Sequence, residues 1–184
     1  MADINFPAID APPAAPAAAG ERAARAHDSV WDIIELLFFA YRDFVSDPDD
    51  ALAKFNFGRA HHRVLHFVNR DPGMKVAELL DILKITKQSL GRVLKQLIDQ
   101  GYVLQKEGAN DRRQRLLFVT PKGEALAMKL AGLQSARIAR ALAEFGPNAH
   151  EEACRFLVAM IDVDNRDGVL RFIARAGRAR RPRS

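Results

Sequence analysis

Between Lys75 and Gly123 the apolar residues change period, and that change constrains the fold more than any other feature. Val76, Leu79, Leu80 and Leu83 recur at helical spacing, and Leu90, Val93, Leu94, Leu97 and Ile98 repeat the pattern over a longer stretch. Only Lys84-Ile85-Thr86 separates the two sets, with Thr86 placed to cap the second helix. Tyr102–Lys106 and Arg115–Thr120 then read as two strands around a loop at Gly108-Ala109-Asn110. The tip carries Asp111-Arg112-Arg113-Gln114-Arg115. Gly101 suits the end of the preceding helix. Thr120-Pro121 suits the start of the next.

Helices flank this core. Asp28 or Ser29 can cap a helix carrying Val30, Ile34, Leu37, Phe38, Tyr41 and Val45 on one stripe. Trp31, Ile33, Leu36, Phe39 and Phe44 fall outside that stripe, so the helix is apolar over most of its circumference. A surface helix of one chain leaves half its perimeter polar, so this one implies a second subunit. Pro48, with Asp47, Asp49 and Asp50, is expected to end it. A second helix is expected over Ala51–Asn69, bent at Gly58, before the turn Asp71-Pro72-Gly73. Two long helices close the domain, Pro121–Phe145 and His150–Arg175, the latter weakened at Gly168. Residues 1–26, rich in alanine and proline, read as a flexible arm, and residues 176–184 as a basic disordered tail. The folded domain spans 28–175. The fold expected is mainly α with a small β-hairpin wing: a winged helix-turn-helix flanked by dimerisation helices.

A net charge of +5 and a pI near 9.7 over 184 residues permit an anionic partner without choosing one. Cys154 is the single cysteine, so no internal disulfide forms; it sits beside an apolar stripe and is expected to be a buried, inert thiol. No basic segment followed by an apolar run marks a secretory signal. Val30–Val45 is too short and too charged to span a bilayer. A cytoplasmic protein without membrane contact is the expectation.

The partner is suggested by the second helix of the pair. Its polar face holds Lys87, Gln88, Ser89, Gly91, Arg92 and Lys95. The major groove of duplex DNA accepts one α-helix and is read from that helix's first turns. Gln88 matches adenine, Lys87 guanine or phosphate, and Ser89 several bases. Gly91 permits close backbone approach. Arg92 and Lys95 lie further along, where phosphates are met. In the hairpin, Arg112 and Arg113 are candidates for a narrow minor groove and Arg115 for the backbone. Asp111, repelled by phosphate, is expected to brace an arginine fork.

The segments SLGRVLKQLIDQGYV (Ser89–Val103) and DRRQRLLFVTPKG (Asp111–Gly123) resemble the MarR family of winged helix-turn-helix transcription regulators. Val119 stands where leucine is commoner. The order of the flanking helices extends the resemblance over 28–175. It implies a homodimer that places one reading helix and one wing on each half of a palindromic operator. Arg113 then matches the minor-groove arginine, Asp111 its bracing carboxylate, and Thr86–Arg92 the base-facing start of the reading helix. A repressor released by a small ligand, often an aromatic acid or phenol, is implied as well.

Phe38, Phe55, Phe57 and His62 are candidates to line such a ligand pocket, with packing into the core as the simpler expectation. His62 and His66 share one helical face at metal-ligand spacing, but two ligands make no metal site. No cofactor is expected. A redox- or metal-responsive regulator and a winged helix that docks proteins are the competing readings. The wing arginines argue against the docking module. An enzyme is disfavoured, since the chain lacks a phosphate-cradling glycine loop, a nucleophile elbow and a metal-ligand set.

Overall fold

The computed structural model describes residues 30–108, 111 and 113–179. The arm at 1–26 lies outside the described residues, as do Arg112 and residues 180–184. Two compact units divide between Arg42 and Asp43. The first helix, α1 (Trp31–Ala53), begins in one and ends in the other. In the first unit every described residue is exposed, including Trp31, Leu36, Phe38 and Phe39. The Arg42 guanidinium lies over the Phe39 ring at 4.9 Å.

Helix α1 continues through Pro48, where it was expected to stop. Proline interrupts a helix because it lacks an N–H and leaves the carbonyl four residues earlier unpaired. Here that carbonyl belongs to Phe44, and the Gln134 side-chain amide donates to it at 3.5 Å. Pro48 itself is buried, with Val45 and Leu52. The neighbouring acids serve as ion-pair partners, Asp47 for Arg137 at 2.9 Å and Asp49 for Arg59 at 2.7 Å.

The rest of the second unit comprises α2 (Arg59–Arg70), β1 (Met74–Lys75), α3 (Val76–Leu83), α4 (Lys87–Asp99), β2 (Val103–Glu107), β3 (Arg115–Val119), α5 (Pro121–Ala143), α6 (Ala149–Met160) and α7 (Val163–Ala179). Gly58, expected inside the second helix, is the N-cap of α2, and Ala51–Ala53 belong to α1. The hairpin is part of a three-stranded antiparallel sheet in the order β1-β3-β2. Met74 pairs with Leu117, and β2 runs in register from Val103↔Val119 to Glu107↔Arg115.

The expected last helix is two helices. Ile161 adopts an extended conformation, and α7 starts afresh beyond Asp162, whose carbonyl accepts from the N–H groups of Asn165 and Arg166. The Arg166 guanidinium donates to the carbonyls of Ala159 and Ile161, carbonyls that the end of α6 leaves free. The break thus lies before Gly168. Helix α7 continues to Ala179, and Ala176, expected to open the tail, is fully buried.

One apolar core unites these parts. Leu52, Val64, Leu65, Val68, Met74, Leu79, Leu90, Leu97, Val103, Leu117 and Leu130 are nearly or wholly buried within it. Phe172 of α7 packs edge-on to Phe67 of α2, and Arg175 pairs with Asp71 in the turn before β1. By contrast Phe156, Leu157 and Met160 on α6 are exposed. Among the described residues no helix is long and apolar enough to cross a membrane.

Candidate nucleic-acid interface

Helix α4 is set by its own sequence. Leu90, Val93, Leu94 and Leu97 are buried, which turns Thr86, Lys87, Gln88, Ser89, Gly91, Arg92 and Lys95 to solvent. The Thr86 hydroxyl accepts from the Ser89 N–H at 3.1 Å and donates to the Ser89 hydroxyl at 2.9 Å. The cap therefore occupies part of Ser89's hydrogen-bonding capacity. Lys84 takes the left-handed conformation that ends α3, which makes so short a turn possible. Space around Gly91 is open: a Cβ there would meet nothing within 4 Å. Lys95 pairs with Asp99 at 2.6 Å, one turn further on.

Three side chains outside the sequence-derived set fix the helix pair. The Arg63 guanidinium donates to the Leu83 carbonyl at 3.1 Å, at the end of α3. The ammonium of Lys122 donates to the Gln100 carbonyl at the C-cap of α4 and lies over the Tyr102 ring at 4.2 Å. A cation suits that end of the helix dipole. His61 meets Gln96 at 2.7 Å. These residues meet across helix packing, and local sequence spacing carries no sign of it.

The hairpin turn is built around Asp111. Its carboxylate accepts from the Arg113 backbone N–H at 2.9 Å and from the Gln114 side chain at 3.4 Å. The expected brace on a guanidinium is thus a brace on the backbone, as in an Asx turn. Arg115 faces Glu107 across the strand pair at 2.9 Å, so a carboxylate already holds it. Arg113 is exposed at the tip. Arg112 lies outside the described residues.

Helix and wing share one concave surface of about 760 Å³. Lys75, Lys87, Lys95, Arg113 and Arg115 supply its cations, and Val76, Leu80, Leu90 and Leu94 its floor. Gly91 lies on its wall; Thr86, Gln88, Ser89 and Arg92 lie outside its lining. Lys75, at the start of α3, was not among the residues expected here.

The pocket residues expected from sequence separate into different roles. Phe38 is 71% exposed on α1. Phe55 and Phe57 join Tyr102 in an aromatic cluster, and Phe57 stacks on His61 at 4.6 Å. His62 is buried, and that burial lowers its pKa from the ordinary 6.5, opposed by the charge of Asp49. A separate cleft of about 500 Å³ lies between α2, α3 and α7, lined by Phe67, Ile82, Val169 and Phe172 with Asp81, Lys84 and Asn165. Cys154 is exposed rather than buried, because the α6 face it flanks is itself exposed; its sulfur lies 4.0 Å from the His150 ring nitrogens. Among the described residues no group of three or more His, Cys, Asp or Glu side chains is placed to hold a metal ion.

A helix pair backed by a hairpin with basic residues on one concave face defines the winged helix-turn-helix class of DNA-binding proteins. Residues 55–114 match the family model described as "MarR family". The chain is 46% identical over 129 residues to the HTH-type transcriptional regulator PetP of Rhodobacter capsulatus, covering 70% of this chain and 78% of that one. It is 30% identical over 93 residues to the HTH-type transcriptional repressor Rv2887 of Mycobacterium tuberculosis, covering 50% and 67%. The chain belongs to the MarR family, whose members are DNA-binding transcription regulators and not enzymes. Among solved structures, Streptococcus pneumoniae FabT in complex with DNA shares the fold at a TM-score of 0.63 and 15% identity, over 71% of this chain and 93% of that one. Rv2887 in complex with salicylic acid matches at a TM-score of 0.50 and 25% identity, over 68% and 93%.

Proposed function

We propose that this regulator is a cytoplasmic homodimeric repressor that holds a palindromic operator and releases it on binding a small aromatic acid. The observation that carries the DNA reading is the shared basic concavity, in which Lys87, Gly91 and Lys95 of α4 face the same space as Arg113 and Arg115 of the wing. Lys87, Gln88 and Ser89, capped by Thr86, read base edges in the major groove. Arg92 and Lys95 hold phosphates, and Arg113 enters the minor groove. Asp111 shapes the turn that presents Arg113. Arg112 and Arg115 meet the backbone, with Arg115 shared with Glu107.

Dimerisation is supported by apolar side chains that one chain leaves exposed: Trp31, Phe38 and Phe39 on α1, and Phe156, Leu157 and Met160 on α6. Clusters of this kind mark protein contact surfaces. The ligand reading draws on the salicylate complex of Rv2887. In this chain the cleft at Phe67 and Phe172 suits an aromatic ring, and Lys84 a carboxylate.

The test is selection of fragments from the source organism's genomic DNA by the full-length protein, followed by affinity measurements against salt. A dimer neutralising about six to ten phosphates loses roughly three to five decades of affinity between 50 and 200 mM salt. Absence of an enriched palindrome, or a flat salt response, rejects the DNA reading. Sedimentation as a monomer at micromolar concentration rejects the dimer.

A further inference from the structure

We infer that His61 is a positioning residue that sets the rotation of α4 about its own axis; the inference rests on the proposed role of α4 as the base-reading helix. Helix α4 lies on α2 through Leu90, Val93, Leu94 and Leu97. Apolar contact is non-directional and tolerates small rotations. The side chain of His61 adds a directed bond. Its Nδ1 lies 3.1 Å from the Gly58 backbone nitrogen, whose only hydrogen points to it. That ring nitrogen is therefore an acceptor, and in the neutral ring the other, Nε2, carries the hydrogen. Nε2–H donates to Gln96 Oε1 at 2.7 Å. The ring has little freedom to turn, being buried and stacked on Phe57 at an interplanar angle of 11°.

Gln96 shares a helical row with Ser89 and Arg92, seven and four residues earlier. Side-chain tips lie about 6 Å from a helix axis, so a rotation of ~10° moves them by about 1 Å. Hydrogen bonds to bases hold over a range narrower than that. Contacts to phosphates on flexible lysines do not demand such accuracy. His61 thus governs discrimination between sequences more than affinity for DNA at large.

Two variants separate the bonds of His61. In H61N the amide oxygen can take the place of Nδ1 toward Gly58, while the reach to Gln96 is lost. In H61Q the longer amide can reach Gln96. The measurement is the affinity ratio between the fragment best enriched by the wild-type protein and a scrambled duplex of the same length, with melting temperature recorded alongside. H61N is expected to lower the ratio at least fivefold with little change for the scrambled duplex, and H61Q to restore most of it. Q96A, a change at an exposed position that leaves the fold intact, is expected to lower the ratio similarly, with no further loss when H61N is added. Q96A by itself keeps the test open should H61N unfold. A ratio unchanged in Q96A, or a loss equal for both duplexes, overturns the positioning role. Failure of the wild-type protein to enrich any fragment rejects the DNA reading instead.

Discussion

Arg137 of α5 donates to Asp47 of α1 across 2.9 Å, a contact between residues ninety positions apart. Together with Gln134 on the Phe44 carbonyl, it fastens α5 to the stretch of α1 that Pro48 weakens. The two side chains are 32% and 40% exposed, so solvent screens the pair in part. Such pairs contribute about 0.2–1 kcal/mol. Asp47→Asn keeps the shape and removes the charge. It is expected to lower the unfolding free energy in urea by about that amount. An unchanged midpoint would make the contact incidental.

Gly123 is fixed by close approach. A Cβ at that position would lie 2.0 Å from the Tyr102 carbonyl oxygen, which is backbone and cannot swing aside. The same carbonyl accepts from the Thr120 N–H, and the Thr120 hydroxyl caps α5 through the Gly123 N–H at 3.0 Å. Gly123→Ala must therefore push the start of α5 away from the sheet. A loss of about 2–3 kcal/mol is expected, at the upper end for overpacking. Thermal unfolding checks it; a melting temperature within a degree of wild type would contradict the geometry.

Burial lowers the pKa of His62, and the nearby Asp49 offsets part of that. The sign follows directly. The unfolded chain takes up a proton near pH 6.5, whereas the folded chain resists it to lower pH. Stability from this group is complete above pH 6.5 and is lost as pH falls from there toward the folded value. One proton contributes a slope of at most about 1.4 kcal/mol per pH unit. Urea midpoints for wild type should drop between pH 7.5 and 5.5 by more than those for His62→Gln. Parallel curves would show that His62 titrates alike in both states.

Local chemistry makes the helix pair and hairpin legible. Thr86, Thr120-Pro121 and the Gly101 C′ position (φ +74°) act within a few residues of themselves, and apolar spacing fixed the buried face of α4. Other features depend on partners distant in the chain. Helix α1 passes Pro48 because α5 supplies a donor from position 134. Strand β1 has two residues and exists only through its pairing with Leu116 and Leu117. The break between α6 and α7 contains neither glycine nor proline, and Arg166 holds it by two carbonyls. At Asp111 an Asx turn and an arginine brace call for the same side chain, so local sequence does not separate the two.

In the wing, Arg113 and Arg115 differ in what already holds them. Arg115 has Glu107 at 2.9 Å, whereas Arg113 stands exposed beside a turn braced at its own backbone N–H. Arg113→Ala is expected to weaken binding to an enriched genomic fragment by about tenfold or more, within the range of one good groove contact. The protein should remain folded, since the Asp111 bond uses the backbone and survives the substitution. Affinity unchanged at physiological salt would remove Arg113 from the interface.

Gly91 opposes stability to function on a single atom. Glycine inside a helix costs about 0.5–1 kcal/mol relative to alanine. Nothing lies within 4 Å of the missing Cβ, so alanine meets no obstacle in the free protein. Gly91→Ala is therefore expected to raise the unfolding free energy by roughly 0.5–1 kcal/mol. The same methyl group would project from the wall of the basic concavity, beside Lys87 and Lys95. If α4 sits with its backbone against the groove floor, that methyl fills space DNA needs, and affinity falls while stability rises. Urea denaturation and titration with an enriched duplex measure the two quantities on one preparation. Gain in stability with undiminished affinity would place Gly91 away from the DNA and move the reading contacts toward Gln88 and Ser89.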